Sequence, residues 1–225
     1  MKTPFRTSVL AIVAKDLRAE MRSRELMSVM ALFAFLSLLV FSFALELDRA
    51  AREEAVSGVL WVTLIFASLL GFNRSMALEH DQGTLDAMLL APISRSAVFV
   101  GKLAGNYLFT LMVGWVILPV MTVIYNKNML DGRLILTLAI GIFGFSTVGT
   151  LLATLTVQTR AREALLPIAM LPVTLPFLLT AVRATTDILS ETSRSDWLVW
   201  LQLLGGISVI YLVLCLLLYN FVIED

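Results

Sequence analysis

Six long uncharged apolar runs, at 26–45, 55–72, 103–124, 134–157, 164–182 and 197–222, alternate with short polar stretches along this chain. A bilayer core about 30 Å thick takes roughly 20 helical residues to cross, and the runs have about that length. They are continuous rather than alternating, which selects α-helices over the strands of a barrel, the other structure that satisfies every backbone group in lipid. The pattern predicts an all-α polytopic membrane protein with six transmembrane helices. No polar loop is long enough to fold alone, so the chain reads as one domain over 1–225.

Ahead of the first run, Val9, Leu10, Ile12, Val13, Leu17 and Met21 fall on one side of a helical wheel. Lys15, Arg18 and Arg22 fall opposite them at spacings of three and four. This predicts an amphipathic interfacial helix over about 5–24, its basic stripe toward anionic headgroups. Asp16 and Glu20 project onto the apolar side. Carboxylates facing acyl chains are costly, so that strip is expected to meet polar protein groups.

The spans differ in character. The first, rich in Leu and Phe, is expected at the periphery, and Trp61 in the second is expected in the interfacial aromatic belt. In the third, Gly101 and Gly105 permit a close helix approach. The fourth carries Gly141, Gly144 and Gly149 among serines and threonines, which places it inside the bundle or at a subunit contact. Pro167, Pro172 and Pro176 crowd the fifth. Each proline deletes a backbone donor and clashes with the carbonyl four residues back. The expectation is a broken span, either kinked near a possible substrate path or bent for structural reasons alone. Trp197 and Trp200 would anchor the outer start of the last span, and Tyr219 its inner end.

The chemistry concentrates in the polar interval 73–102. Gly83 can break a preceding helix, Thr84 suits an N-cap, and Asp86 suits the positive end of a helix dipole. Leu85, Met88 and Leu89 share a face, and Pro92 limits the run. This predicts a short cytoplasmic coupling helix over about 84–91, apolar on one side, with Glu79, Asp81 and Asp86 at its start. Acids beside an anionic leaflet fit poorly, so a basic-rimmed protein groove suits the stretch better than a lipid surface.

Composition agrees with the pattern. The chain is 59% hydrophobic and 15% charged, against about a quarter charged in soluble domains. Lys plus Arg and Asp plus Glu balance at 17 each, which gives no reason to expect nucleic acid. With the N-terminus inside, 11 basic residues fall on the inner side and six on the outer, which favours cytoplasmic termini. The single cysteine, Cys215, lies in an apolar run and reads as a small packing residue. No P-loop, zinc-protease, nucleophile-elbow or Cys-x-x-Cys motif occurs, so no catalytic or metal site is predicted. The six runs hold no Asp, Glu, Lys, Arg or His for coupling to an ion gradient. Energy for any movement would enter from outside the membrane.

The run Glu79-x-x-x-Gly83-Thr84-Leu85-Asp86-x-x-Leu89-x-x-Pro92-x-Ser94, with six spans and an amphipathic N-terminal helix, resembles the ABC-2-type permeases. More narrowly, the chain resembles the cytochrome c maturation B, or haem exporter B, family. The residues carrying this are Lys15-Asp16-Leu17-Arg18-x-Glu20, Gly58-Val59-Leu60-Trp61, Asn73-Arg74-Ser75, Leu89-Leu90-Ala91-Pro92-Ile93-Ser94 and Leu165-Leu166-Pro167-Ile168 with Leu171-Pro172. The resemblance implies a bacterial inner-membrane permease subunit in c-type cytochrome maturation. Its implied partners are a cytoplasmic ABC ATPase carrying ATP and Mg, a second copy of itself, haem-handling membrane proteins C and D, and a periplasmic haem chaperone E.

Two roles fit that setting: haem export, or conversion of ATP hydrolysis into release of the loaded chaperone. Haem iron is usually held by His, Cys, Met or Tyr. His80 lies in the polar interval, which leaves Met112, Met121 and Met170 as possible ligands within spans. No cofactor bound by this chain is therefore expected, with haem a possible transient substrate. The alternatives are an ABC-2 exporter of lipid, drug or polysaccharide, and a non-transporting membrane scaffold.

Overall fold

The computed structural model describes residues 4–45, 49–84, 91–156, 162–190 and 196–222. They form α1 (Phe5–Ser23), α2 (Glu25–Ala44), α3 (Arg49–Asp81), α4 (Arg95–Tyr125), α5 (Gly132–Thr156), α6 (Arg162–Leu189) and α7 (Trp197–Val222). Helices α2 to α7 are the six long and apolar enough to span a membrane.

Helix α3 continues past its predicted end at 72, because Met76, Ala77, Leu78 and Glu79 are good helix formers and nothing there interrupts them. Gly83 stops the chain: its φ is +63°, a conformation open to glycine at little cost, and its N–H donates to the His80 carbonyl at 3.0 Å. Helix α4 starts earlier than its apolar run. Its N-cap, Ser94, accepts a bond from the Ala97 N–H at 3.3 Å. The polar interval thus contracts to 82–94.

Helix α5 is the centre of the bundle and touches α3, α4, α6 and α7. Its glycines are the reason. Trp61 and Phe72 of α3 lie over Gly141 and Gly149, and Phe177 of α6 lies over Gly144, so large aromatics fill the space that missing side chains leave. The expectation for the fourth span holds. Helix α2 is peripheral, as expected: Leu26, Met30, Ala34 and Leu38 form one buried stripe, with Met30 over Gly71, and the opposite face is exposed.

Three expectations need correcting. Trp61 is buried rather than belted at an interface, and its Nε1 donates to Thr185 Oγ1 at 2.9 Å. Tyr219 is likewise buried, with its ring 5.0 Å from that of Phe99. The fifth span is not broken: α6 is one continuous helix containing Pro167, Pro172 and Pro176. Pro172 and Pro176 face outward with Leu175 and Leu179, and so do Ile168 and Pro172, the residues four back whose carbonyls lose a donor. Inside, the Thr174 and Thr180 hydroxyls donate to the Met170 and Pro176 carbonyls, and Tyr211 Oη of α7 donates to the Val173 carbonyl at 2.7 Å. These contacts tie the inner side of α6 down despite the lost backbone bonds.

Candidate functional site

Where α1, α3 and α4 meet, four ionisable side chains form one cluster. Lys102, two turns into α4, is 2% exposed, and its Nζ donates to Asp16 Oδ2 of α1 at 2.8 Å and to Glu79 Oε1 of α3. Lys15 of α1 donates to the same Glu79 oxygen and lies 3.1 Å from Asp16 Oδ1. Two cations thus face two carboxylates. Burial by itself would lower the Lys15 pKa, but Glu79 and then Asp16 outweigh it, so the ammonium titrates above its usual range. Glu79 Oε2 is buried without a hydrogen-bond partner.

The helices approach closely here because α4 lacks side chains where α1 crosses it. A Cβ on Gly101 would lie 2.9 Å from Ile12 Cβ, and one on Gly105 would lie 3.2 Å from Asp16 Oδ2. The glycine pair is the helix contact that its spacing suggested. Asp16 meets polar protein groups, as expected of the acidic strip. So does Glu20, whose carboxylate accepts from the Leu26 and Met27 N–H groups at 3.3 and 2.8 Å and caps α2. Lys15 corrects the reading of the basic stripe: it turns to protein, while Arg18 and Arg22 stay exposed.

Beyond Lys102 the polar row continues along α4. Asn106 is buried and its Nδ2 donates to Thr150 Oγ1 of α5 at 2.9 Å. At the rim, Arg74 of α3 pairs with Glu25 of α2. Between α1, α2 and α3 lies a cavity of about 660 Å³ lined by Asp16, Glu20, Glu79, Gln82 and Thr84 among others.

Of the expected coupling residues, the described ones differ in surroundings. Glu79 is inside the cluster, whereas Asp81 is exposed on the last turn of α3. Thr84 Oγ1 donates back to the Glu79 carbonyl at 3.2 Å. Pro92 is exposed in the turn before α4. Leu85, Asp86, Met88 and Leu89 lie outside the described residues. The sequence reading missed Lys102, Asn106 and Arg74 as interacting groups. The signal for the first two was present: Lys102, Asn106 and Thr110 recur every four residues in an apolar helix, and Lys102 stands beside Gly101. Among the described residues, no group of three His, Cys, Asp or Glu could hold a metal. Met121, Met170 and Cys215 are buried, and Met112 is exposed.

The CcmB protein family matches residues 7–222, which contain every residue of the cluster. The chain belongs to the CcmB family. Its relatives include proteins named heme exporter protein B. That of Bradyrhizobium diazoefficiens is 24% identical over 184 residues, covering 81% of this chain and 83% of the relative. That of Rhodobacter capsulatus is 27% identical over 170 residues, covering 75% and 78%. The Pseudomonas aeruginosa protein is 23% identical over 192 residues, covering 84% of each. In this CcmB family member the matched region takes in all six span-length helices.

Proposed function

We propose that the chain is the permease subunit of an ATP-driven inner-membrane complex that handles haem during c-type cytochrome maturation. A cytoplasmic ABC ATPase docks on the stretch 84–91, and two copies of each subunit assemble with haem-handling membrane partners and a periplasmic chaperone. Both termini then lie in the cytoplasm. ATP and Mg belong to the partner ATPase, and haem is a transient substrate of the assembly.

Family membership and the relatives' name support the haem setting. One observation carries the coupling. Helices α3 and α4, which enter and leave the docking stretch, are stapled together by Glu79 and Lys102. A push on that stretch is therefore delivered to two span-length helices at once, through a pair too buried for water to screen. ATP-driven release of loaded chaperone is the favoured form of the activity. Export of haem by this subunit, and a different ABC-2 cargo, are its rivals.

The test is genetic and biochemical. Cells lacking the chain should lose c-type cytochromes, whereas retention would favour an exporter of another cargo. Leu85→Asp or Asp86→Lys should abolish ATP-dependent maturation while the complex still assembles. Normal maturation with the ATPase bound would end the coupling reading. A stoichiometric Soret band on the purified chain, lost with Met121→Leu or Met170→Leu, would favour direct haem transfer.

A further inference from the structure

Helix α1 is attached to the bundle in a way that a resting surface helix does not need. Its only buried residues are Ser8 and Ile12. Ile12 lies on Gly101, Asp16 on Gly105 with Lys102, and Lys15 with Glu79, while Leu17 packs against the core and Glu20 bonds to the start of α2. Leu10 and Met21 point outward, 67% and 76% exposed.

The join to α2 is a single residue. Arg24 ends α1 and starts α2 at φ 54°, in the left-handed region that L side chains rarely occupy. Glu20 of α1 reaches across the join to cap the first turn of α2, so a swing of α1 must exchange these two bonds for water. The 660 Å³ cavity between α1, α2 and α3 leaves room on the inner side of α1.

A buried cation fixed by two carboxylates from different helices holds firmly when closed. It is also a contact that opens as a unit, because loss of one partner destabilises the rest. Glu79 belongs to this cluster and stands four residues before the break at Gly83.

We propose that α1 is a latch: it swings on Arg24, closes on α4 through Ile12–Gly101 and Asp16–Lys102, and releases when the docking stretch moves Glu79. The proposal rests on the coupling reading above. It adds that α1 is a moving part and not a passive anchor. The glycine pair supplies the smooth track, and the ionic cluster supplies the closed position.

The test uses the assembled complex with Cys215→Ser. Ile12→Cys with Gly101→Cys puts two thiols on facing carbons 2.9 Å apart, so the helices need part by only about 0.9 Å to reach an ordinary disulfide span. Oxidation should leave the ATPase bound but lower cytochrome maturation about tenfold, within the usual range for coupled sites, and reduction should restore it. Full activity of the cross-linked protein overturns the latch. If the cysteine pair fails to fold, spin labels at exposed Leu10, about four turns from the Arg24 pivot, and at exposed Arg95 read the same motion. Their distance should differ between nucleotide-free and ATP-bound complex, and an unchanged distance overturns the proposal. The two readings fail separately. Cells lacking the chain but retaining c-type cytochromes refute the function, whereas an immobile α1 in a complex needed for maturation refutes the latch alone.

Discussion

Lys102 and Glu79, 23 residues apart and on opposite sides of the polar stretch 82–94, meet in a buried ion pair between α3 and α4. Asp16, from a third helix, completes the coordination of the same ammonium. The pairing turns a loop between two spans into a closed loop with a fixed base.

The first prediction concerns that base. Lys102→Met leaves two carboxylates facing Lys15 alone, and should cost ~3–5 kcal/mol of stability. Adding Glu79→Gln should recover part of this, since removing both partners strands less charge. Thermal unfolding in detergent measures both. Equal melting of wild type and Lys102→Met would show that the cluster is not a stabilising unit.

The glycines of α5 separate packing from mere composition. Gly141→Val places carbon where the Trp61 ring lies, and should cost ~1–3 kcal/mol through overpacking. Gly206→Ala on α7 meets nothing within 4 Å and should be close to neutral. Size-exclusion profiles and melting curves of the two variants should diverge.

Pro172→Ala tests the continuity of α6. The residue faces outward, and alanine gives the Ile168 carbonyl a backbone donor again. Stability should rise by ~1–3 kcal/mol with the helix intact. A destabilised protein would mean that the span needs its proline to bend.

The turn before α5 carries a pH-dependent contact. Arg133 holds the Asp131 carboxyl below its usual range by side-chain and backbone hydrogen bonds. A folded pKa below the unfolded one contributes stability above the unfolded value, near 3.8, that is lost as pH falls through the lower folded value. Arg133 also lies over the Trp197 ring at 6.0 Å, so tryptophan emission should change in that acid window. Arg133→Gln keeps the backbone bond but removes the side-chain ones and the contact with Trp197, so the emission change should shrink.

The length and continuity of the apolar runs are local properties, so the six spans were legible without a fold. So were the peripheral α2, the central α5 and the helix break at Gly83, because side-chain size and backbone freedom act within a few residues. The acidic strip on α1 declared its need for polar partners through the cost of putting carboxylates toward lipid.

The partners themselves were decided by tertiary structure. Lys102 is 86 residues from Asp16, and no periodicity tells which helix face will meet which. Trp61 and Tyr219 look like interfacial residues in isolation, yet Gly141 and Phe99 give them buried places. The prolines of α6 predict a break only while their surroundings are unknown. Pro172 and Pro176 face outward and leave the inner side free to be held by Thr174, Thr180 and Tyr211. The same separation of local and long-range causes applies to function. The sequence marks the polar stretch between two spans, and packing decides that α3 and α4 are joined beside it through Glu79 and Lys102, with α1 closed over their junction.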